Sequence, residues 1–174
     1  SIAQKVKSTY KNIGLASSAT SALIIALNFF RLNSKTPNEF NILLPSWTFA
    51  ATGQAVLQAG CFPYFSDVDE TGFLTPEVAL EHISKLDQNG VKIDLVLPVV
   101  PFGMQVDLTG WIDFQKTRNI PIVLDAAAGF TSTIVTDLVT VVSTHATKFF
   151  STSEGGIIYS SNKDFIRAFK AACN

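Results

Sequence analysis

The sequence predicts an α/β fold built on a mostly parallel sheet with helices on both faces. Three observations predict it. Short β-rich runs alternate with stretches of helical periodicity, the pattern of strand–helix–strand units. Some of the β-rich runs are apolar without a break, as in Asp94-Leu95-Val96-Leu97-Pro98-Val99-Val100, which suits strands buried on both faces. Hydrophobic residues make up 47% of the 174 residues and charged residues only 16%, with a mean hydropathy of +0.29. That is apolar for a soluble domain of this size. A covered sheet accounts for part of it, and surface that a further part of the protein or a second subunit covers accounts for the rest. The length suits one domain with a sizeable core.

The elements follow in order. Residues 12–16 read as a strand and 20–32 as an apolar helix. Residues 40–44 form the next strand, and 49–59 a helix of small and apolar residues that ends at Gly60. A strand over 64–68 precedes a helix whose start is marked by Thr75 as cap and Pro76 in the first turn, running to about Leu86. Residues 94–100 are a strand, 108–118 a helix and 120–124 a strand. Strands at 139–143 and 156–160 and a helix from Lys163 onward complete the chain. In such sheets ligands sit at the C-terminal ends of the strands.

Composition excludes several classes. The formal net charge is -1, without acidic or basic blocks, so neither nucleic acid nor an anionic membrane surface is an expected partner. The longest apolar run, Ala22-Leu23-Ile24-Ile25-Ala26-Leu27, is broken by Asn28 and followed by Arg31, far short of a membrane span. Residues 1–10 are polar and amphipathic rather than a secretory leader. Cys61 and Cys173 are far apart and match no metal spacing. Two free thiols suit a reducing compartment, and a cytoplasmic location is expected.

Several special residues fall at predicted strand ends. Ser17-Ser18-Ala19-Thr20 joins the first strand to its helix. Small residues and hydroxyls there are either a plain N-cap or a phosphate site on the helix dipole. Trp47 and Phe49 follow the second strand and are either core, the simpler reading, or rings for a planar ligand to stack on. Asp69 and Asp67 read as turn formers, and His145 as a local hydrogen-bonding residue. Asp125 ends the run Ile120-Pro121-Ile122-Val123-Leu124; it either caps the next segment or faces a ligand. Lys148 lies between Ala146-Thr147 and Phe149-Phe150, with Gly155-Gly156 just beyond. A solvated surface lysine is the default, but the apolar setting favours a buried one, which loses its proton more readily. An amine that forms an imine with an aldehyde and a carboxylate that keeps a pyridine nitrogen protonated are the two groups that pyridoxal phosphate chemistry requires.

In this combination the chain resembles the pyridoxal-phosphate-dependent sugar aminotransferases of the DegT/DnrJ/EryC1/StrS family, of aspartate aminotransferase fold type. The resemblance is carried by Ser18-Ala19-Thr20-Ser21-Ala22-Leu23, Pro45-Ser46-Trp47-Thr48-Phe49-Ala50-Ala51-Thr52, Phe65-Ser66-Asp67-Val68-Asp69, Pro98-Val99 with Phe102-Gly103, Asp125-Ala126-Ala127, and Ser143-Thr144-His145-Ala146-Thr147-Lys148 with Glu154-Gly155-Gly156. It implies a three-layer α-β-α sandwich, the fold type I large domain. It implies that Lys148 carries a Schiff base with pyridoxal 5'-phosphate and shuttles the proton, and that Asp125 binds the pyridine nitrogen. Phe49 rather than Trp47 would stack on the ring, and Ala19, Thr20 and Ser143 would bind the phosphate. The implied reaction moves an amino group, usually from glutamate, to a keto group on a nucleotide-linked sugar, in a homodimer with its sites at the interface.

Three departures accompany the resemblance. Ala128 stands where the family usually has a Gln, three positions after the aspartate. Thr144 replaces a common aromatic. The family's chains are considerably longer, so residues 1–174 read as an incomplete large domain, without the N-terminal segment and the small C-terminal domain. Lys148 separates the chain from the related sugar dehydratases, which resemble the family but have a histidine at that position. The competing readings are a shortened non-catalytic relative with a regulatory or structural role, and another fold type I enzyme.

Overall fold

The computed structural model describes residues 12–129 and 137–173. Among them are seven strands and five helices. β1 (Ile13–Ala16) leads into α1 (Ala19–Leu32), β2 (Asn41–Pro45) into α2 (Ala50–Gln58), and β3 (Phe62–Ser66) into α3 (Pro76–Gln88). After β4 (Leu95–Val96) come a short turn at Pro101–Gly103, α4 (Thr109–Arg118), β5 (Val123–Asp125), β6 (Val139–Ser143), β7 (Gly156–Tyr159) and α5 (Lys163–Ala172).

The strands pair in two blocks, β1-β7-β6-β5 and β3-β2-β4. Parallel bridges at Val96–Ile122 and Val99–Asp125 join the blocks into one sheet. β7 runs antiparallel to both of its neighbours, β1 and β6, while the β2–β3, β2–β4 and β5–β6 pairs are parallel. The expected mostly parallel sheet is therefore present, with one reversed strand.

Alternation along the strands sorts side chains into two cores. Ile42 and Leu44 of β2, with Val123, Val141 and Ile158, pack under α1, α2 and α5 through residues such as Leu23, Leu27, Val56, Phe165 and Phe169. Leu43 between them faces the other way, and with Val96, Leu124 and Val142 it packs under α3 and α4 through Ile83, Trp111 and Phe114. The three layers follow directly.

Three helix starts carry side-chain caps, those at Ser18 and Thr75 as read in the sequence and a third at Asn162. The Ser18 side chain accepts from Ser21 N–H, Thr75 from Val78 N–H, and Asn162 from the amides of Asp164 and Phe165. Phe49, expected inside α2, is instead its N-cap in extended conformation.

Three strands differ from expectation, and proline is involved each time. The 94–100 run shrinks to Leu95–Val96 because Pro98 has no N–H to continue the ladder; its carbonyl still accepts from Asp125 N–H at 2.9 Å. β5 begins at Val123 rather than 120, beyond Pro121. β3 starts earlier than expected and includes Pro63, which is tolerated because β3 is an edge strand among the described residues, paired there only with β2. No helix among the described residues is long and apolar enough to cross a membrane.

Candidate active site

One cleft lies along the C-terminal ends of the strands, at the end where β7 begins. Its first lobe is a cavity of about 390 Å³ lined by the β1–α1 junction (Ser18, Ala19, Thr20), Phe49, Thr52, Asp125, Ser143, Lys148 and Glu154, among others. Its second lobe, about 340 Å³, is lined by Trp47, Thr48, Val99 to Phe102 and Ala128. The lobes share Phe49, Thr52, Asp125, Ala127 and Lys148. All six residues singled out in the sequence (Ala19, Thr20, Phe49, Asp125, Ser143, Lys148) line the first lobe.

Asp125 is the last residue of β5 and is only 4% exposed. Its Oδ1 accepts from Ala127 N–H at 3.0 Å, so it does cap its own strand exit. Its Oδ2 accepts from Thr52 Oγ1 at 2.8 Å. Burial pushes the carboxyl pKa up; the Thr52 hydroxyl, the Ala127 amide and the Lys148 ammonium pull against that rise without cancelling it.

Thr52 was not identified as a site residue from the sequence. A threonine in a run of alanines looks like any small helix residue. The signal that could have found it is a second threonine, Thr48, four residues earlier in the loop before α2: Thr48 Oγ1 donates to Thr52 Oγ1 at 2.9 Å.

Lys148 lies in the segment between β6 and β7. Backbone bonds fold this segment back on itself: Thr144 N–H to Gly155 O, Thr152 N–H to Thr144 O, Ala146 N–H to Ser153 O and Lys148 N–H to His145 O, all at 2.8–2.9 Å. His145 ties it further. Thr147 N–H donates to His145 Nδ1 at 3.3 Å, and Nε2 faces Glu154 at 3.4 Å. His145 is thus the local hydrogen-bonding residue expected. The buried lysine is not found. Lys148 is half-buried and its neighbour Phe149 is 87% exposed, because the segment rises above the sheet ends instead of packing into them. Trp47 and Phe49 are likewise not core: they are 57% and 80% exposed and stand at the cleft.

The end of the first lobe at the start of α1 is built from close backbone approach. A Cβ on Gly156 would run into the Ser18 carbonyl and the Ala19 amide nitrogen. Only glycine lets β7 start against the first turn of α1. First-turn amides have no acceptor inside their own helix, and those of Ala19 and Thr20 front the lobe. Ser143 Oγ accepts from His145 N–H at 3.2 Å, which leaves the hydroxyl its proton to donate. The donor set therefore fits a phosphate monoester, and the buried Asp125 fits a protonated ring nitrogen in a lobe that the Lys148 amine also lines.

The sequence model of the DegT/DnrJ/EryC1/StrS aminotransferase family matches residues 5–174. The chain belongs to this family. It is 31% identical over 167 residues to the UDP-4-amino-4,6-dideoxy-N-acetyl-beta-L-altrosamine transaminase of Campylobacter jejuni, covering 92% of this chain and 42% of that protein. It is 28% identical to the dTDP-4-amino-4,6-dideoxy-D-glucose transaminase of Shigella dysenteriae, over 87% of this chain and 40% of that one. The crystal structure of a putative PLP-dependent aminotransferase from Bacillus cereus matches with a TM-score of 0.80 at 28% identity, over 96% of this chain and 46% of that chain. Sugar aminotransferase CalS13 from Micromonospora echinospora also gives 0.80, and at 19% identity it carries the fold alone. The fold is that of the fold type I aminotransferases. The chain spans less than half the length of these relatives.

Proposed function

We propose that this chain is the cofactor-binding large domain of a pyridoxal-phosphate-dependent aminotransferase that moves an amino group, from glutamate, to a keto group on a nucleotide-linked sugar. The observation that carries the reading is the convergence of Ala19, Thr20, Phe49, Asp125, Ser143 and Lys148, from four separate strand ends, on one lobe. When bound, pyridoxal phosphate supplies an aldehyde for an amine and a ring that takes up electrons from the substrate.

The chain's own residues do the rest. The amides of Ala19 and Thr20 and the hydroxyls of Thr20 and Ser143 bind the phosphate, with the positive end of α1 behind them. Phe49 stacks on the ring. Asp125 faces the ring nitrogen and keeps a proton on it. Lys148 holds the cofactor through Nζ, and the same Nζ then takes and returns a proton beside the substrate carbon. The second lobe opens onto Lys148 and offers the flat faces of Trp47 and Phe102 to the apolar side of a sugar ring. The names of the relatives support the nucleotide-sugar acceptor. The exposed rings around the cleft support a homodimer that covers them. Two free cysteines, Cys61 and Cys173, support the cytoplasm as its compartment.

The test is covalent capture. The chain is incubated with pyridoxal phosphate, reduced with borohydride, and the modified peptide mapped by mass spectrometry. A stable adduct on Lys148, absent from Lys148→Ala, is expected. Labelling scattered over surface lysines would overturn the reading.

A further inference from the structure

We propose that Thr52 is a positioning residue for the reaction, holding the Asp125 carboxylate as a pure acceptor toward the cleft, with Thr48 setting the direction of the hydroxyl chain behind it. This rests on the function proposed above.

The geometry is a one-way chain. Thr48 Oγ1 donates to Thr52 Oγ1 at 2.9 Å, and Thr52 Oγ1 donates to Asp125 Oδ2 at 2.8 Å. Ala127 N–H donates to Oδ1 at 3.0 Å. Each carboxylate oxygen thus already accepts one bond from the protein. An ionised carboxylate accepts at both oxygens, whereas a protonated one must donate from one of them. The surroundings therefore suit the anion. They do so where burial opposes it: Thr52 is 1% and Asp125 4% exposed, and a charge so placed costs free energy unless it is hydrogen-bonded.

Thr52 lies in the first turn of α2 and Thr48 in the loop before it, ahead of the extended Phe49, so the loop after β2 and the helix each supply one hydroxyl. Thr48 is half-buried at the rim of the second lobe and Thr52 is at its floor. The chain thereby runs from the mouth of the substrate lobe to the group that faces the ring nitrogen. The groups around the carboxylate are Thr52 from α2, the Ala127 amide from its own strand exit, and the Lys148 ammonium from the segment between β6 and β7. The last of these is the charged one. With the cofactor bound, the protonated ring nitrogen would face the same carboxylate, while Thr52 and Ala127 hold its two oxygens from the protein side.

The test reads Asp125 directly, without cofactor. Carboxyl carbon NMR follows the titration of Asp125 in the wild type, Thr52→Val, Thr52→Ser and Thr48→Val. Thr52→Val keeps the shape and removes the donor, so the Asp125 midpoint is expected to move further up. Thr52→Ser is expected to stay near wild type, and Thr48→Val to move less than Thr52→Val in the same direction. With pyridoxal phosphate, Thr52→Val is expected to bind about tenfold more weakly, the loss of one hydrogen bond to a charged group. An unchanged midpoint in Thr52→Val, or an equal shift in Thr52→Ser, would overturn the proposal. If Thr52→Val does not fold, Thr48→Val decides: an upward shift supports the chain and no shift overturns it. Failure of the Lys148 adduct with a shifted Asp125 midpoint would sink the functional reading alone. A good adduct with an unmoved midpoint would sink this one alone.

Discussion

At the scale of single residues, Asp125 sets function against stability. Its folded pKa is raised above the unfolded value, chiefly by burial. Such a group contributes its full stability below the unfolded pKa, and that contribution is lost as the pH rises through the folded pKa. At neutral pH the buried side chain is therefore a burden on the cofactor-free fold. Asp125→Asn is expected to raise the urea midpoint of the cofactor-free chain at pH 7 relative to wild type, with the gap closing as the pH falls toward the ordinary carboxylate range. The amide fits, because the Thr52–Thr48 chain can reverse its donors to accept from it. A gap of opposite sign at pH 7 would contradict the account. The variant should also lose tight cofactor binding. Lys148 and Asp125 were legible in the sequence because the chemistry of one lysine and one acid at a strand end is distinctive. Thr52 was not, because a hydroxyl's value depends on the partner that folding brings to it, here 73 residues along the chain. The exposure of Trp47, Phe49 and Lys148 was also hidden: aromatics beside a strand end look alike whether they fill a core or front a cleft.

At the scale of elements, the contact between β7 and the start of α1 is the tightest at the site. Gly156→Ala would press a methyl against the Ser18 carbonyl and the Ala19 amide, and neither is a flexible side-chain end. A cost of about 1–3 kcal/mol is expected from such overpacking, read as a lower denaturant midpoint. Because the displaced amides are those proposed to bind phosphate, affinity for pyridoxal phosphate should fall too. Unchanged affinity in a folded Gly156→Ala would mean that the first turn of α1 does not bind the phosphate. Helix positions were readable from caps and periodicity, as Thr75-Pro76 shows. Strand limits were less so. Pro63, Pro98 and Pro121 each lie near a strand end, and whether a proline ends a strand or sits in it depends on the strand's place at the edge or the middle of the sheet.

At the scale of the whole molecule, apolar rings gather at the cleft: Trp47, Phe49 and Phe102 line it, Phe149 follows its Lys148 in the chain, and all four are more than half exposed. Phe102 also holds a left-handed backbone (φ 51°), uncommon for an aromatic residue. Surfaces of this kind mark contact with another chain or domain. If the covering body is a second copy, the chain should sediment as a dimer at micromolar concentration, and Phe149→Ser should shift it toward monomer. A monomer would assign the cover to a further part of the protein. The three layers could be read from the alternation of elements. The order of strands could not, since nothing local in Gly156-Ile157-Ile158-Tyr159 announces that this strand runs against its neighbours.

That reversed strand has a consequence for how the molecule comes into being. β1, the earliest of the described strands, pairs among the described residues with β7 alone, Ile13 opposite Tyr159 and Ala16 opposite Gly156. A growing chain must therefore make nearly all of the other described residues before this pairing can form. Pairings so distant along the chain form late and slowly. The first lobe of the cleft, closed by Gly156 against Ser18, then takes shape only after β7 has been made.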